Sequence, residues 1–327
     1  MKKIKTASEL PGIVGLYRAF WQYSQGAHLS VFASTALLVA SQLSRLSIPW
    51  LTAQAINAVQ AAGSDSVQRS AVLILLILAA TVVSWMMHGP GRVIERTVAV
   101  RVRQRLSDRL YRRVSTLPLA WHEKHHSGET LHRIEKTTLA LSDFAGSQFI
   151  YLQNLVNLIG PLVALTLLSH MTGSIGVAGF LLIGFVIVRF DKVLMGLIRQ
   201  QNDAERRHSS ALVDALGNVS TVISLRLQNA MRALLQMRLS AVFEPLRRNI
   251  LLNEAKWCAM DLLTLTLTWG MVAMYVWSSQ RGGAALLIGN VFMVYQYANQ
   301  AGAVIASLAS NYQNFARMRA DYASADP

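Results

Sequence analysis

Cysteine is almost absent from this sequence: Cys258 is the single one in 327 residues, which excludes an internal disulfide framework and any zinc site built on several thiolates. Charge is scarce as well, at 15% of residues, well below the roughly 25% of an ordinary soluble domain. Acidic residues are the scarcest charged class, with 17 Asp and Glu against 31 Lys and Arg. No segment has the G-x-x-x-x-G-K-S/T pattern that cradles nucleotide phosphates; Gly89-Pro90-Gly91 lacks the lysine, so ATP has no binding device of that kind in these residues. Alternating ten-residue segments are missing too, which sets aside a transmembrane β-barrel. The basic start at Lys2, Lys3 and Lys5 is not followed by the apolar core of a cleavable signal, because Pro11, Gly12, Arg18 and Gln22 interrupt it, and we expect it to be retained.

What fills the sequence is apolar: 53% of residues are hydrophobic and the mean hydropathy is +0.34. A helix needs about 20 mostly apolar residues to cross the hydrocarbon core. Segments of that kind occur near residues 29–48, 71–87, 149–170, 174–197, 257–277 and 284–308. Open strands would leave backbone groups unsatisfied in lipid, so helices are the spanning element. The expected fold is an all-α membrane protein with six transmembrane helices.

The basic surplus has a position that decides its meaning. About eleven Lys and Arg fall between Arg92 and Lys136 and about nine between Arg199 and Lys256, whereas the other connections hold only Arg69 and Arg281. Positive residues mark cytoplasmic loops, so these two connections and both termini are expected inside, and the chain makes three hairpins. A nucleic-acid partner is not needed to explain the charge, which is interleaved with Glu95, Asp108, Glu123, Glu129 and Glu135.

Outer connections such as Met171-Thr172-Gly173 are very short, while both inner ones run to about fifty residues. Val98, Val102, Leu106, Leu110 and Val114 recur every fourth residue, and Leu212, Leu216, Val219, Val222 and Leu227 read similarly. That is the pattern of amphipathic helix. Helices that continue fifteen to twenty residues beyond the membrane would project on the order of 25 Å into the cytoplasm, an arm for a partner.

One motif carries an alternative. His122-Glu123-Lys124-His125-His126 matches H-E-x-x-H, in which two histidines one helical turn apart hold zinc and the glutamate acts as base. His132 lies at the spacing of a third ligand, but the intervening glycine, Gly128, is one place early, and the motif occupies a turn between Pro118 and Ser127. The competing reading is a polar turn at the tip of the arm, with no metal.

At this turn the sequence resembles the transmembrane domain of type I ABC exporters. The resemblance rests on a basic helix (Arg109 to Arg113), an aromatic and polar turn (Trp121 to His126), Ser127-Gly128-Glu129, and a returning helix at Leu131 to Ile134. It extends over nearly the whole chain, with an interfacial elbow helix near residues 10–21, Ile48-Pro49 late in the first span, and a second inner arm. It implies that Trp121, His122, Glu123, His125, His126 and Gly128 form the first coupling segment, which docks a nucleotide-binding domain. Asp214, Asn218, Val219 and Leu225 would belong to the second, where Asp214 and Ile223-Ser224-Leu225 replace the family's usual Glu and Lys-x-Phe element. It also implies the division of the chain into a cytoplasmic elbow (1–27), a transmembrane domain (28–312) and the start of a linker (313–327) to a nucleotide-binding domain. That domain, fused or separate, would carry Mg-ATP, while the chain itself holds no cofactor and is not an enzyme alone. A second transmembrane half, as homodimer or heterodimer, and the lipid bilayer are the other expected partners; the expected location is a plasma membrane, the bacterial inner membrane.

Polar groups inside spans are the candidates for a substrate path, because they are costly in hydrocarbon and normally face a cavity or a partner. They are Arg45 in the first span, Asn154 and Asn157 in the third, Asp261 in the fifth, and Gln296, Asn299 and Gln300 in the sixth. Two readings stand for Arg45: an ion pair with Asp261, or a cavity group that meets an anionic or strongly polar substrate. For the amides, interhelical hydrogen bonding competes with pore lining. A membrane scaffold without transport would leave all of these freely replaceable.

Overall fold

The computed structural model describes residues 13–61, 63, 65–124, 127–281, 283 and 285–323. The chain is all-helical, 93% helix with no strand among the described residues. In chain order the helices are α1 (Ile13–Tyr23), α2 (His28–Gln60), α3 (Ser66–Ser115), α4 (Leu119–Lys124), α5 (Ser127–Ala145), α6 (Gln148–Leu168), α7 (His170–Gly217), α8 (Val219–Ser224), α9 (Gln228–Arg281) and α10 (Ile288–Ala323).

Among the described residues five helical stretches are long and apolar enough to cross a membrane: His28–Gln60, Ser66–Ser115, Thr130–Leu168, His170–Gly217 and Gln228–Arg281. The sixth expected span falls in α10, which has the length, at 36 residues, but not the hydropathy. Asn290, Gln296, Asn299 and Gln300 dilute its apolar run. At 1.5 Å per residue α3 is about 75 Å long, more than twice the roughly 30 Å of a hydrocarbon core, so the arms expected from the inner connections are continuations of spanning helices.

The chain divides into two compact units, one of Met1–Gly176 with Thr268–Pro327 and the other of Val177–Leu267. In the first, α2 and α3 pair along their lengths. Ser41 Oγ lies 3.0 Å from Ser84 Oγ, Ser44 Oγ donates to the Ala80 carbonyl at 3.0 Å, and Ser70 Oγ donates to the Ala55 carbonyl at 3.3 Å. Small hydroxyls let the helix backbones approach while satisfying their own polar atoms, which is how helices associate in lipid, where apolar burial gives little driving force.

Toward the chain's basic end a second kind of packing takes over. Leu16, Ala19 and Phe20 of α1, Val98, Ala99, Val102 and Leu106 of α3, and Leu141, Phe144 and Ala145 of α5 form one buried core, with Tyr151, Phe315, Met318 and Tyr322 packed against it. The α3 positions are those whose four-residue recurrence marked an amphipathic helix. Tyr17 Oη donates to Gln148 Oε1 at 3.1 Å; burial pushes its pKa above the usual tyrosine value, so the hydroxyl keeps its proton. Thr137 Oγ1 donates to the Asp321 carbonyl at 3.3 Å, which ties α10 to α5.

The N-terminus of α10 has no capping side chain of its own, since Ala285, Leu286 and Leu287 precede it. The end of α2 supplies the cap. Asn57 Oδ1 accepts the Gly289 N–H at 2.8 Å and Gln60 Oε1 accepts the Ile288 N–H at 2.8 Å, while Asn57 Nδ2 donates to Asn290 Oδ1 at 3.1 Å. Gly289 is needed there because a Cβ would run into the Ala53 carbonyl oxygen. Asn57→Ala should lower stability by about 1 kcal/mol, the scale of a lost cap. Thermal unfolding of the full chain in detergent measures it, and an unchanged midpoint would mean the cap contributes nothing.

The second unit consists of residues 177–217 of α7, helix α8, and residues 228–267 of α9. Lys256 Nζ meets Asp191 Oδ1 at 3.2 Å with both side chains largely covered, and Asn249 Nδ2 donates to Gln201 Oε1 at 3.3 Å.

Candidate functional site

Each long arm ends in a one-and-a-half-turn helix. In the first unit α3 stops at Thr116, whose N–H bonds the Arg112 carbonyl, because Pro118 has no N–H to continue the ladder. Helix α4 then starts, with the Trp121 N–H on the Pro118 carbonyl at 2.9 Å. The Trp121 ring is half-buried and meets the His122 ring edge-on at 5.2 Å, while His122, Glu123 and Gly128 are exposed. Leu119 is 74% exposed. His125 and His126 lie outside the described residues.

The tip of the second unit is built alike. The Asn218 N–H and Nδ2 both donate to the Asp214 carbonyl, at 3.1 and 3.0 Å, closing α7 and starting α8. Asp214, Asn218 and Val219 are exposed, as are Ile223 and Leu225 at 59% and 64%. Helix α8 closes with the Arg226 N–H on the Ile223 carbonyl and the Leu227 N–H on the Val222 carbonyl at 2.8 Å, with Arg226 at φ 54°. This is a left-handed helix end, a place normally given to glycine. Arg226 was not singled out from the sequence, and nothing in its neighbours signals it. Both tips therefore present exposed leucine, isoleucine or valine beside polar groups, the composition of a surface that another protein covers.

The intramembrane candidates divide between the units. In the first, Gln300 Nε2 donates to Asn157 Oδ1 at 2.9 Å, joining α10 to α6. Asn299 Nδ2 donates to the Tyr295 carbonyl of its own helix, and its side chain and that of Gln296 are exposed. Arg45 is exposed, with its guanidinium 5.4 Å from the Trp85 ring centre. That contact is worth about 0.5–2 kcal/mol, less than the roughly 2.5–3.5 kcal/mol cost of a guanidinium at mid-span. Asp261 is exposed in the second unit.

Glu95 was read from the sequence as one of the acids interleaved among surface bases. It is 4% exposed. Its Oε1 accepts the Phe149 N–H at 2.7 Å, and its Oε2 pairs with Arg92. Since Ser147 makes no side-chain cap at the start of α6, a carboxylate on α3 caps that helix, where negative charge is favoured. The break at Gly146-Ser147 between α5 and α6 is thus fixed to α3. A periodic pattern could not reveal it, because the partner is 54 residues away.

Among the described residues no group of three or more His, Cys, Asp or Glu is placed to hold a metal ion. Residues 31–303 match the family model described as ABC transporter transmembrane region. The match opens in α2, closes in α10 and includes both α4 and α8. No curated protein matches the chain closely enough to count as a relative.

Proposed function

The chain belongs to the ABC transporter transmembrane region family, and we propose that this translocating domain is an exporter half whose two arm tips, α4 and α8, dock a nucleotide-binding domain. The family match makes it a multi-pass membrane protein and the transmembrane domain of an ABC transporter; the zinc-protease reading of His122, Glu123 and His126 gains no support. Domains of this family pair with nucleotide-binding domains and work as dimers. The motor that binds Mg-ATP is proposed to lie outside residues 1–327, fused or separate, with residues 313–327 as the start of its linker. Six spans are proposed, α10 being the sixth, with the Gln300 amide satisfied by Asn157. Both termini are then on the basic, cytoplasmic side of a bacterial inner membrane.

The observation that carries the docking proposal is the pair of short helices with uncovered apolar side chains at the ends of arms too long for connections. Arg45, Asn157, Gln296, Asn299 and Asp261 remain the candidates for the substrate path. The test is hydrolysis of Mg-ATP by the chain alone and by the chain reconstituted in liposomes with its cognate nucleotide-binding domain. No hydrolysis by the pure chain and substrate-stimulated hydrolysis by the assembly are expected. Hydrolysis by the pure chain would overturn the division of labour.

A further inference from the structure

The mid-span arginine does not stand alone. Its guanidinium lies over Trp85 at 5.4 Å; Trp85 meets His88 edge-on at 5.2 Å; His88 meets Phe149 at 4.7 Å; and the Arg92 guanidinium lies over Phe149 at 5.0 Å. Cation, ring, imidazole, ring and cation follow one another without a gap across α2, α3 and α6. Trp85, His88 and Arg92 are three and four residues apart, so they share one face of α3, and about 10 Å of helix axis separates the first from the last. The hydrogen bonds from Ser41 and Ser44 to the Ser84 and Ala80 turn of α3 hold Arg45 opposite Trp85. All five members belong to the first unit.

The charge on this face is unbalanced. Glu95 is the acid held against it, and its two oxygens are taken by Arg92 and the Phe149 N–H. Among the described residues of this unit Arg45 makes no ion pair, and its ring contact offsets only part of the cost of its position. Trp85 is 56% exposed, and Val82, Met86 and Val93 beside it on α3 are exposed as well. Arg45, a guanidinium without an acid partner, and Arg92, already paired with Glu95, lie along a face flanked by uncovered apolar surface, which is complementary to a molecule with an anionic head and an apolar body.

We propose that Arg45, Trp85, His88, Phe149 and Arg92 form the binding face for the anionic headgroup of an amphiphilic substrate. This rests on the transporter reading, since it names the class of molecule carried. Arg45 supplies the forked donor pair that matches a phosphate or carboxylate, and the rings orient both guanidiniums. The exposed apolar side chains of α3 receive the chain of the amphiphile, which a free anion lacks.

The test measures binding by the purified full chain in neutral detergent, with no motor domain present. The probes are fluorescent phosphatidylglycerol and phosphatidylcholine with the same acyl chains, and glycerol phosphate is the competitor. Phosphatidylglycerol should bind about tenfold more tightly than phosphatidylcholine, the scale of one hydrogen bond to a charged group. Arg45→Ala should remove most of that preference, Arg45→Lys should keep part of it, and His88→Gln should weaken it without touching Arg45. A thermal melt of each variant in the same micelles establishes that it is folded. Equal binding of the two lipids, or an undiminished preference in both Arg45→Ala and His88→Gln, overturns the proposal. So does displacement by glycerol phosphate at lipid-like concentrations, which would assign the face to a free anion. Because nothing here depends on ATP, a chain that keeps the preference yet fails to support hydrolysis with its nucleotide-binding domain refutes the transporter reading and leaves this face standing.

Discussion

Replacing Phe144 with alanine is expected to destabilise the protein by about 3–5 kcal/mol, the range for removing a fully buried phenylalanine. Its ring is completely buried and lies 4.9 Å from Tyr17, 6.4 Å from Phe20, 6.3 Å from Tyr151 and 6.0 Å from Phe315. Those rings come from α1, α6 and α10, and the residues beneath from α3. Four helices would have to move together to fill the hole, so collapse is restricted and the cavity cost stays high. The location also matters. Within lipid the transfer of an apolar side chain between hydrocarbon and a helix interface gains little, but this core sits among the basic stretches, where water is the alternative and burial is strongly favourable. Unfolding of the full chain in mixed micelles would measure the effect, with Phe144→Leu as the milder control. A change below about 1 kcal/mol would mean that the cluster does not hold α1 and α10 to the α3–α5 arm.

The spanning helices were legible because about 20 apolar residues in a row is a local property. The arms were legible for the same reason: a four-residue recurrence from Val98 to Leu110 reports a covered face wherever that face goes. What covers it was not legible. That Leu16 and Phe20 lie on Val102 and Leu106, or that Phe315 reaches Phe144, depends on residues 86 to 171 positions apart, and periodicity says nothing about partners. Glu95, Asp191 and Asn57 were each misjudged or passed over for this reason. Each is a polar group whose meaning is its distant partner: the start of α6 for Glu95, Lys256 for Asp191, the start of α10 for Asn57. The shortfall of α10 has the opposite origin. Its amides were counted as candidate pore groups, yet the same amides lower its hydropathy below that of the five apolar stretches, and Gln300 spends its donor on Asn157.

The two tips repeat this division. Helix α4 falls at the turn that Pro118 and the polar run after Trp121 indicated, whereas the recurrence from Leu212 to Leu227, read as one amphipathic pattern, is broken at Asn218, where α7 ends and α8 begins. Their placement at the ends of α3 and α7 follows from helix length alone. Which of their side chains a partner would touch is a matter of exposure, and exposure depends on the returning helices. Leu119, Ile223 and Leu225 stand out only once those are in place.

Trp121→Ala is expected to weaken association with the cognate nucleotide-binding domain about thirtyfold, the equivalent of about 2 kcal/mol for a large aromatic anchor at a protein contact. The ring is half-buried against its own turn, with the His122 imidazole edge-on at 5.2 Å, so it is already oriented and little side-chain freedom is lost on docking. It sits on a six-residue helix between α3 and α5, whose packing on one core makes them a single lever. α3 is in turn fixed to the start of α6 by the Phe149 N–H bond to Glu95. Loss of the anchor should leave insertion and thermal stability unchanged, because no span and no residue of the core is altered. In liposomes with the nucleotide-binding domain, the variant should show either reduced assembly or hydrolysis that proceeds without transport. Leu119→Ser, at an exposed leucine of α4, should act in the same direction with a smaller effect. A Trp121→Ala protein that assembles and transports like the parent would place the docking contact elsewhere than α4.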